Sequence, residues 1–207
     1  MAIRAVFFDF GGVLYKTPDY RWLMRLSRLL RRPHDDLVWG LYTSPTQSEF
    51  VRGVMSGQIP EQQVWESFAR RARLSPQWLA RIRGGSYARR RLNLPAINLL
   101  KSLRPRYITA ILTNAGSEFR ATFVRAYGME EWAGRVLISA EMGLAKPDPA
   151  IFTAAAEIMS VRPEEVLFLD DLLENVEGAR STGMAAIQFR SNAQAIEQVS
   201  RNLFLPS

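Results

Sequence analysis

Cysteine is absent from the chain, and histidine occurs once, at His34. The first absence excludes a disulfide framework, a thiolate zinc site and a cysteine nucleophile; the second excludes a multi-histidine metal cage. Uncharged apolar runs of 18 residues are also missing, so no membrane span is expected. The apolar opening AVFFDFGGVLY is interrupted by Asp9 and is followed by no small-residue cleavage site, which argues against a secretory leader. These absences lead to the expectation of a soluble, cytoplasmic protein. With 47% hydrophobic and 23% charged residues, the chain carries enough apolar surface to offset its ordering entropy, which excludes a disordered or fibrous chain. Catalysis, if present, must come from carboxylates, hydroxyls, lysine or arginine.

Lysine is the other scarce residue, with 3 against 24 arginines. The formal charge of +7 suggests an anionic partner, and its placement is uneven. Tyr15 to Pro95 holds 15 Lys/Arg against 6 Asp/Glu, net +9, while the remainder holds 12 against 14, net −2. All the excess therefore sits in one segment. Its arginines, among them Arg52, Arg70, Arg71, Arg73 and the Arg89–Arg91 run, are mostly expected on solvated helix faces.

The runs IRAVFFDF, Tyr107–Leu112, Arg135–Ser139, Val166–Leu169 and Ala185–Phe189 have the length and composition of buried strands. Helical stretches separate the later four: SEFRATFVRAYG, then DPAIFTAAAEIMS with Asp148 as N-cap and Pro149 in the first turn, then ENVEGARSTG. Buried strands alternating with helices predict an α/β fold, a parallel sheet with helices on both faces. The middle of the chain reads differently. DYRWLMRLSRLLRR and PEQQVWESFARRARL carry apolar residues at helical spacing, and prolines at 45, 60 and 76 open short helices. Residues 16–92 are accordingly expected to form a small helical cap inserted into a core of residues 1–15 and 93–207, with Trp22, Trp39, Trp65 and Trp78 in the cap's own core and Gly84–Gly85 in a loop near its exit.

Parallel strands end on a common edge, where open α/β proteins bind their ligands. Asp9 ends the first strand, Thr113 and Asn114 the second, and Asp170–Asp171 the fourth, so three polar clusters converge. Carboxylates facing one another at buried strand ends repel unless a cation lies among them, and a hard, oxygen-seeking ion such as Mg2+ suits them.

These residues, with Lys146 in GLAKPDPAIF, resemble the haloacid dehalogenase-like hydrolase superfamily, in its branch with a helical cap after the first strand (the C1 branch). The match runs over residues 3–190: DFGGV at Asp9–Val13 for the first motif, Thr113 in ILTNAG for the second, Lys146 in AKPDP for the third and Asp170–Asp171 in FLDDLLEN for the fourth. The resemblance implies a Rossmann-like core and a phosphatase in which Asp9 attacks phosphorus to give an aspartyl-phosphate that water then hydrolyses. Gly12, Thr113, the backbone amide of Asn114 and Lys146 are implied to hold phosphate, and Lys146 to offset charge on nucleophile and phosphate. Asp9, the carbonyl of Gly11 and Asp171 are implied to ligate magnesium, with Asp170 acting directly or through water.

The departure from the family pattern is Gly11, where the phosphatases usually carry a second Asp as acid and base. Members with a DxG(N/G)V first motif, which this chain is similar to, look like sugar-phosphate phosphatases. A glycosyl 1-phosphate or acyl phosphate has a good leaving group and needs the acid least. Tyr15, Thr17 and His34 are the alternative proton donors within the motif-bearing and cap segments. The expected partner is a small phosphorylated substrate rather than nucleic acid or membrane, and the expected state a monomer or homodimer. Two other readings remain: a metal-free 2-haloacid dehalogenase, opposed by the double acid Asp170–Asp171, and a weakened domain that binds a phosphorylated ligand.

Overall fold

The computed structural model describes residues 2–16, 49–73, 75–78, 80 and 91–204. Trp22, Trp39, His34, the helix predicted over 19–32, Pro45 and Gly84–Gly85 lie outside the described residues.

Among the described residues, five strands form a parallel sheet: β1 (Ala5–Phe8), β4 (Ile108–Thr113), β5 (Arg135–Ile138), β6 (Val166–Asp170) and β7 (Ala185–Gln188), in the order β5-β4-β1-β6-β7. Each corresponds to one of the apolar runs read from sequence. Alternation along β1 shows why both sheet faces are covered. Val6 and Phe8 enter a cluster with Leu100, Phe123, Ala195 and Val199, whereas Ala5 and Phe7 enter a second cluster with Phe152, Ala155 and Ala179 on the other face. Helices α3 (Leu94–Leu103) and α7 (Asn192–Phe204) thus cover one side, and α5 (Pro149–Ile158) and α6 (Leu173–Ser181) the other. α5 begins as expected, with the Asp148 side chain accepting from the Ala150 N–H and Pro149 at its first position. No helix among the described residues is long and apolar enough to cross a membrane.

The chain leaves β1 in one direction along the sheet, to β4 and β5, and later returns to β1's other side as β6 and β7. Strand order reverses at β1, so the crevice of this fold opens beyond its C-terminal end and those of β4 and β6.

Three features depart from the sequence reading. Between β1 and the helical segment the structure has a short antiparallel ribbon, β2 (Tyr15–Lys16) paired with β3 (Arg91–Leu92), too brief to leave any periodicity in the sequence. The helix predicted over SEFRATFVRAYG is π-helical at Arg120–Val124 before the α-helical turn α4 (Arg125–Tyr127). Phe119 and Phe123 stack there at 4.9 Å, and Phe10, next to Asp9, meets Phe119 edge-on at 5.1 Å. Trp78 is 54% exposed and so is not a core residue, whereas Trp65 is buried. The described residues around Trp78 are helical, and the Trp78 N–H is taken by the Ser75 hydroxyl.

Within the inserted segment, α1 (Glu49–Met55) and α2 (Glu61–Ala72) are helical, α2 starting directly after Pro60. Arg52 and Arg73 are exposed, in line with a solvated face, and Arg70 lies 4.0 Å from Glu66 one turn back. Two glycine contacts record how closely this segment meets the core: a Cβ on Gly57 would lie 2.4 Å from the Ala140 carbonyl oxygen, and one on Gly116 would lie 2.6 Å from Glu61 Oε2.

Candidate active site

The parallel register fixes which residues meet at the sheet edge. Phe8 pairs with Ile111 of β4 and Leu169 of β6, so Asp9, Thr113 and Asp170 leave three adjacent strands at nearly one level. Asp9, Thr113 and Asp170 are all buried. Lys146 comes from the loop between β5 and α5 and is 1% exposed, an unusual setting for an ammonium group. Its Nζ donates to Asp9 Oδ1 at 2.7 Å, to Asp170 Oδ2 at 2.7 Å and to the Leu112 carbonyl at 3.1 Å. An ammonium has three protons, and all three are used inside the protein. Lys146 therefore sits as a bridge between two carboxylates; donating to a phosphate oxygen would require one of these bonds to be released.

The lysine's place is set by Asn114. Its Nδ2 donates to the Lys146 carbonyl at 2.8 Å, and its Oδ1 accepts from the Lys146 N–H at 2.9 Å, a reciprocal clamp across 32 residues of chain. On the other side α6 presses on the same loop at Gly178, where a Cβ would lie 2.3 Å from the Pro147 carbonyl oxygen.

Asp170 is held by more than the lysine. Asn175 Nδ2 lies 3.0 Å from each of its oxygens, and the Leu172 N–H donates to Oδ1 at 2.9 Å. Both Asp170 oxygens are thus committed to protein donors, while Asp171 is half-buried and faces the glycine loop. Asn175, which is buried, and Ser139, whose hydroxyl accepts from the Ala115 N–H and donates to the Ala115 carbonyl, were not evident as site residues in the sequence. The one available signal was position: Asn175 follows Asp170 by five residues, in the first turn of the next helix.

The two glycines after Asp9 do different things. Gly12 has φ +82°, and a Cβ there would fall 2.1 Å from Asp171 Oδ2, so only glycine admits this approach. Its N–H is donated to the Tyr15 carbonyl at 2.8 Å, which leaves that N–H engaged within the loop rather than free for a phosphate. At Gly11 no atom of the described residues lies within 4 Å of the position of a Cβ.

Burial is the largest influence on Asp9, pushing its carboxyl up to about 8; Lys146 opposes this, and Asp170 and Asp171 add to it. Burial followed by the charge of Asp170 raises Asp171 to about 6. For Lys146, burial pulls the ammonium down, but Asp170 and Asp9 outweigh it and hold it above its ordinary value. The site thus has more negative charge than its lysine balances. Asp9, Asp170 and Asp171 each offer a carboxylate oxygen, and these lie within 4.8 Å of one another, an all-oxygen donor set able to hold a hard cation.

A family model for haloacid dehalogenase-like hydrolases matches residues 3–183. Bifunctional epoxide hydrolase 2 of Mus musculus is 27% identical over 97% of this chain, which spans only 39% of that relative's length. Phosphatase MT3486 of Mycobacterium tuberculosis is 29% identical, with 98% of this chain and 94% of the relative covered. Among solved structures, a HAD family enzyme from Bacteroides thetaiotaomicron in complex with magnesium and inorganic phosphate superposes with a TM-score of 0.73 at 20% identity, covering 91% of this chain and 95% of that one. With its parallel sheet, its strand-end aspartates and a family match across most of its length, the chain belongs to the haloacid dehalogenase-like hydrolases.

Proposed function

We propose that the protein is a magnesium-dependent phosphatase of a small phosphorylated metabolite, a sugar phosphate in first place, acting through an aspartyl-phosphate on Asp9. The observation that carries this reading is the buried Asp9–Lys146–Asp170 arrangement with Asp171 beside it at the open sheet edge. Phosphatase MT3486, matched nearly end to end, and the magnesium and phosphate held by the Bacteroides structure support it. Residues 1–15 and 93–207 would form the core, and residues 16–92 a cap over the crevice; a cytoplasmic setting and a monomer or homodimer complete the reading.

The donor set fits magnesium. Asp9, Asp171 and the Gly11 carbonyl would hold it, with Asp170, whose oxygens already accept from Lys146, Asn175 and Leu172, acting through water. When bound, the ion supplies charge neutralisation, which lets an anionic nucleophile approach an anionic phosphate. The chain's own residues do the rest. Lys146 favours the ionised Asp9 carboxylate against the burial that opposes it, and aims it through its 2.7 Å bond. Asp9 attacks phosphorus and the ester P–O bond breaks, while the Thr113 hydroxyl and the Asn114 N–H would hold phosphate oxygens. The leaving oxygen takes its proton from solvent, because Gly11 has none to give. Water then attacks phosphorus and gives up a proton to solvent, the P–O bond to Asp9 breaks, and inorganic phosphate leaves with the Asp9 carboxylate restored.

Gly11 makes this reading quantitative. A positioned acid and base contributes about 10²–10⁴-fold, so the wild type should favour glycosyl 1-phosphates and aryl phosphates over alkyl phosphates. Among the described residues nothing stands within 4 Å of a Cβ at Gly11, which leaves room there for an added side chain. Gly11→Asp is expected to raise kcat on alkyl phosphates by about 10²-fold and to change aryl phosphate turnover far less. Phosphate release from a panel of such esters, with magnesium or with chelator, tests both statements. Magnesium-dependent release that favours good leaving groups supports the proposal; halide release from 2-haloacids without phosphate release replaces it with the dehalogenase reading.

A second expectation concerns pH. A carboxyl raised in the folded state binds a proton that the unfolded chain, with its ordinary value near 3.8, has already lost. The metal-free fold therefore loses stability as pH rises from about 4 through about 8, the span between the unfolded and folded values for Asp9. Magnesium must displace the same protons. The rise in Tm caused by a fixed magnesium concentration is thus expected to grow steadily from about pH 5.5 to about pH 8.5. A rise independent of pH would place the ion away from Asp9 and Asp171.

A further inference from the structure

We propose that Asn93 is a positioning residue for the nucleophile loop, fastening the loop that follows Asp9 to the point where the chain returns from the inserted segment. Asn93 sits at the N-cap of α3, a position where asparagine ordinarily turns its side chain onto the helix's own N–H groups. Here the side chain makes no cap hydrogen bond. It is instead buried, 4% exposed, and turned toward the loop. Its Nδ2 donates to the Val13 carbonyl at 2.8 Å and to Asn192 Oδ1 at 2.9 Å, while its Oδ1 accepts from Asn192 Nδ2 at 3.0 Å. Its backbone N–H donates to the Leu14 carbonyl at 2.8 Å. Every polar group of the side chain is used, and the bonds reach across 80 and 99 residues of chain.

The loop it grips is self-closed. The Phe10 carbonyl accepts from the N–H groups of Leu14 and Tyr15, and the Gly12 N–H donates to the Tyr15 carbonyl. That closure fixes the loop's own shape but not its place relative to β6, where Asp171 lies close against Gly12. Asn93 supplies the external hold. It catches two successive carbonyls, Val13 and Leu14, directly after β3 pairs Leu92 with Tyr15. Through Asn192 the same hold is braced by the start of α7, which packs on the core. A shift at Val13 would be passed to the Gly11 carbonyl and to the contact between Gly12 and Asp171. Groups bonded directly to a metal ligand typically cost about 10–100-fold in activity or metal affinity when removed, and that range sets the scale for a hold exerted through the loop backbone.

The kinetic arm of the test rests on the phosphatase reading; the exchange arm does not. Hydrogen–deuterium exchange of the amides of Gly12, Leu14 and Tyr15, together with kcat, KM and Tm, is measured for wild type, Asn93→Ala, the isosteric Asn93→Asp and Asn192→Ala. Asn93→Asp keeps the shape but sets a carboxylate against the Val13 carbonyl, so it separates hydrogen bonding from packing. The expected result is faster exchange confined to the loop, with kcat down about 10–100-fold and KM changed far less in both Asn93 variants, and a smaller effect of the same kind in Asn192→Ala, which keeps the bond to Val13. A lowered Tm with loop exchange, kcat and KM unchanged overturns the proposal, because it leaves Asn93 a purely structural role. If neither Asn93 variant folds, unchanged loop exchange in Asn192→Ala overturns it. Should wild type release no phosphate, the functional reading fails while loop exchange still decides the role of Asn93.

Discussion

Asp9→Asn is expected to reduce phosphate release by about 10³-fold or more while leaving Tm equal or higher at pH 8. The rate effect follows from the proposed role of Asp9 as nucleophile: an amide of the same shape can occupy the strand end but cannot form the aspartyl-phosphate. The stability effect follows from burial. Asp9 is 6% exposed, and its carboxyl is pushed up to about 8 by burial, with Asp170 and Asp171 adding to the push, so its ionised form is a cost to the metal-free fold. Asparagine removes that charge and still offers Oδ1 to Lys146, which keeps Asp170 and the Leu112 carbonyl as its other acceptors. Kinetics on the ester panel and melting at about pH 6 and about pH 8 check the two halves. A variant that retains turnover, or that melts well below wild type at pH 8, would contradict this account of Asp9.

Lys146→Met carries the largest expected cost to the fold. Methionine replaces the apolar stem of the lysine, but it supplies no charge in place of the Nζ that lies 5.3 Å over the Phe168 ring. Asp9 and Asp170 would then face each other beside Asp171 with their shared cation gone. Removing one partner of a buried ion pair costs about 3–5 kcal/mol, equivalent to a fall in Tm of roughly 6–20 °C for a chain of this size. The sign of the pH dependence is fixed by which groups are left charged. The loss should be large near pH 8 and smaller near pH 5, where Asp9, already raised by burial, holds a proton. Magnesium should recover part of it at high pH. Melting curves against pH, with and without magnesium, give the result; a Tm within two or so degrees of wild type at every pH would contradict the bridging role.

The residues of the site were legible for a local reason. Asp9, Thr113 and Asp170 each close an apolar run, so strand assignment alone brought them to one edge, and the register of β1 with β4 and β6 bears that out. What Lys146 touches was not legible, because its partner Asp9 is 137 residues away and its donors are used up by acceptors on three separate segments. Asn175 and Asn93 were missed for the same reason. An asparagine near a helix start reads as an ordinary cap, and only the long-range bonds to Asp170, Val13 and Asn192 give each another role. Gly11 and Gly12 look alike in the sequence; that Asp171 lies close against Gly12 while no described residue crowds Gly11 is a tertiary fact. The β2–β3 ribbon and the π-helical turn at Arg120–Val124 are too short, or too close to α-helical spacing, to be told from pattern.

The central claim is that Asp9 carries the phosphoryl group during turnover. Rapid quenching of a single turnover of the best ester in the panel, followed by peptide mass spectrometry, tests it directly. The account predicts a transient phosphoryl adduct on the peptide containing Asp9, rising before free phosphate appears and absent in Asp9→Asn. An adduct on any other residue, or phosphate released at every quench time with no adduct on Asp9, would contradict it.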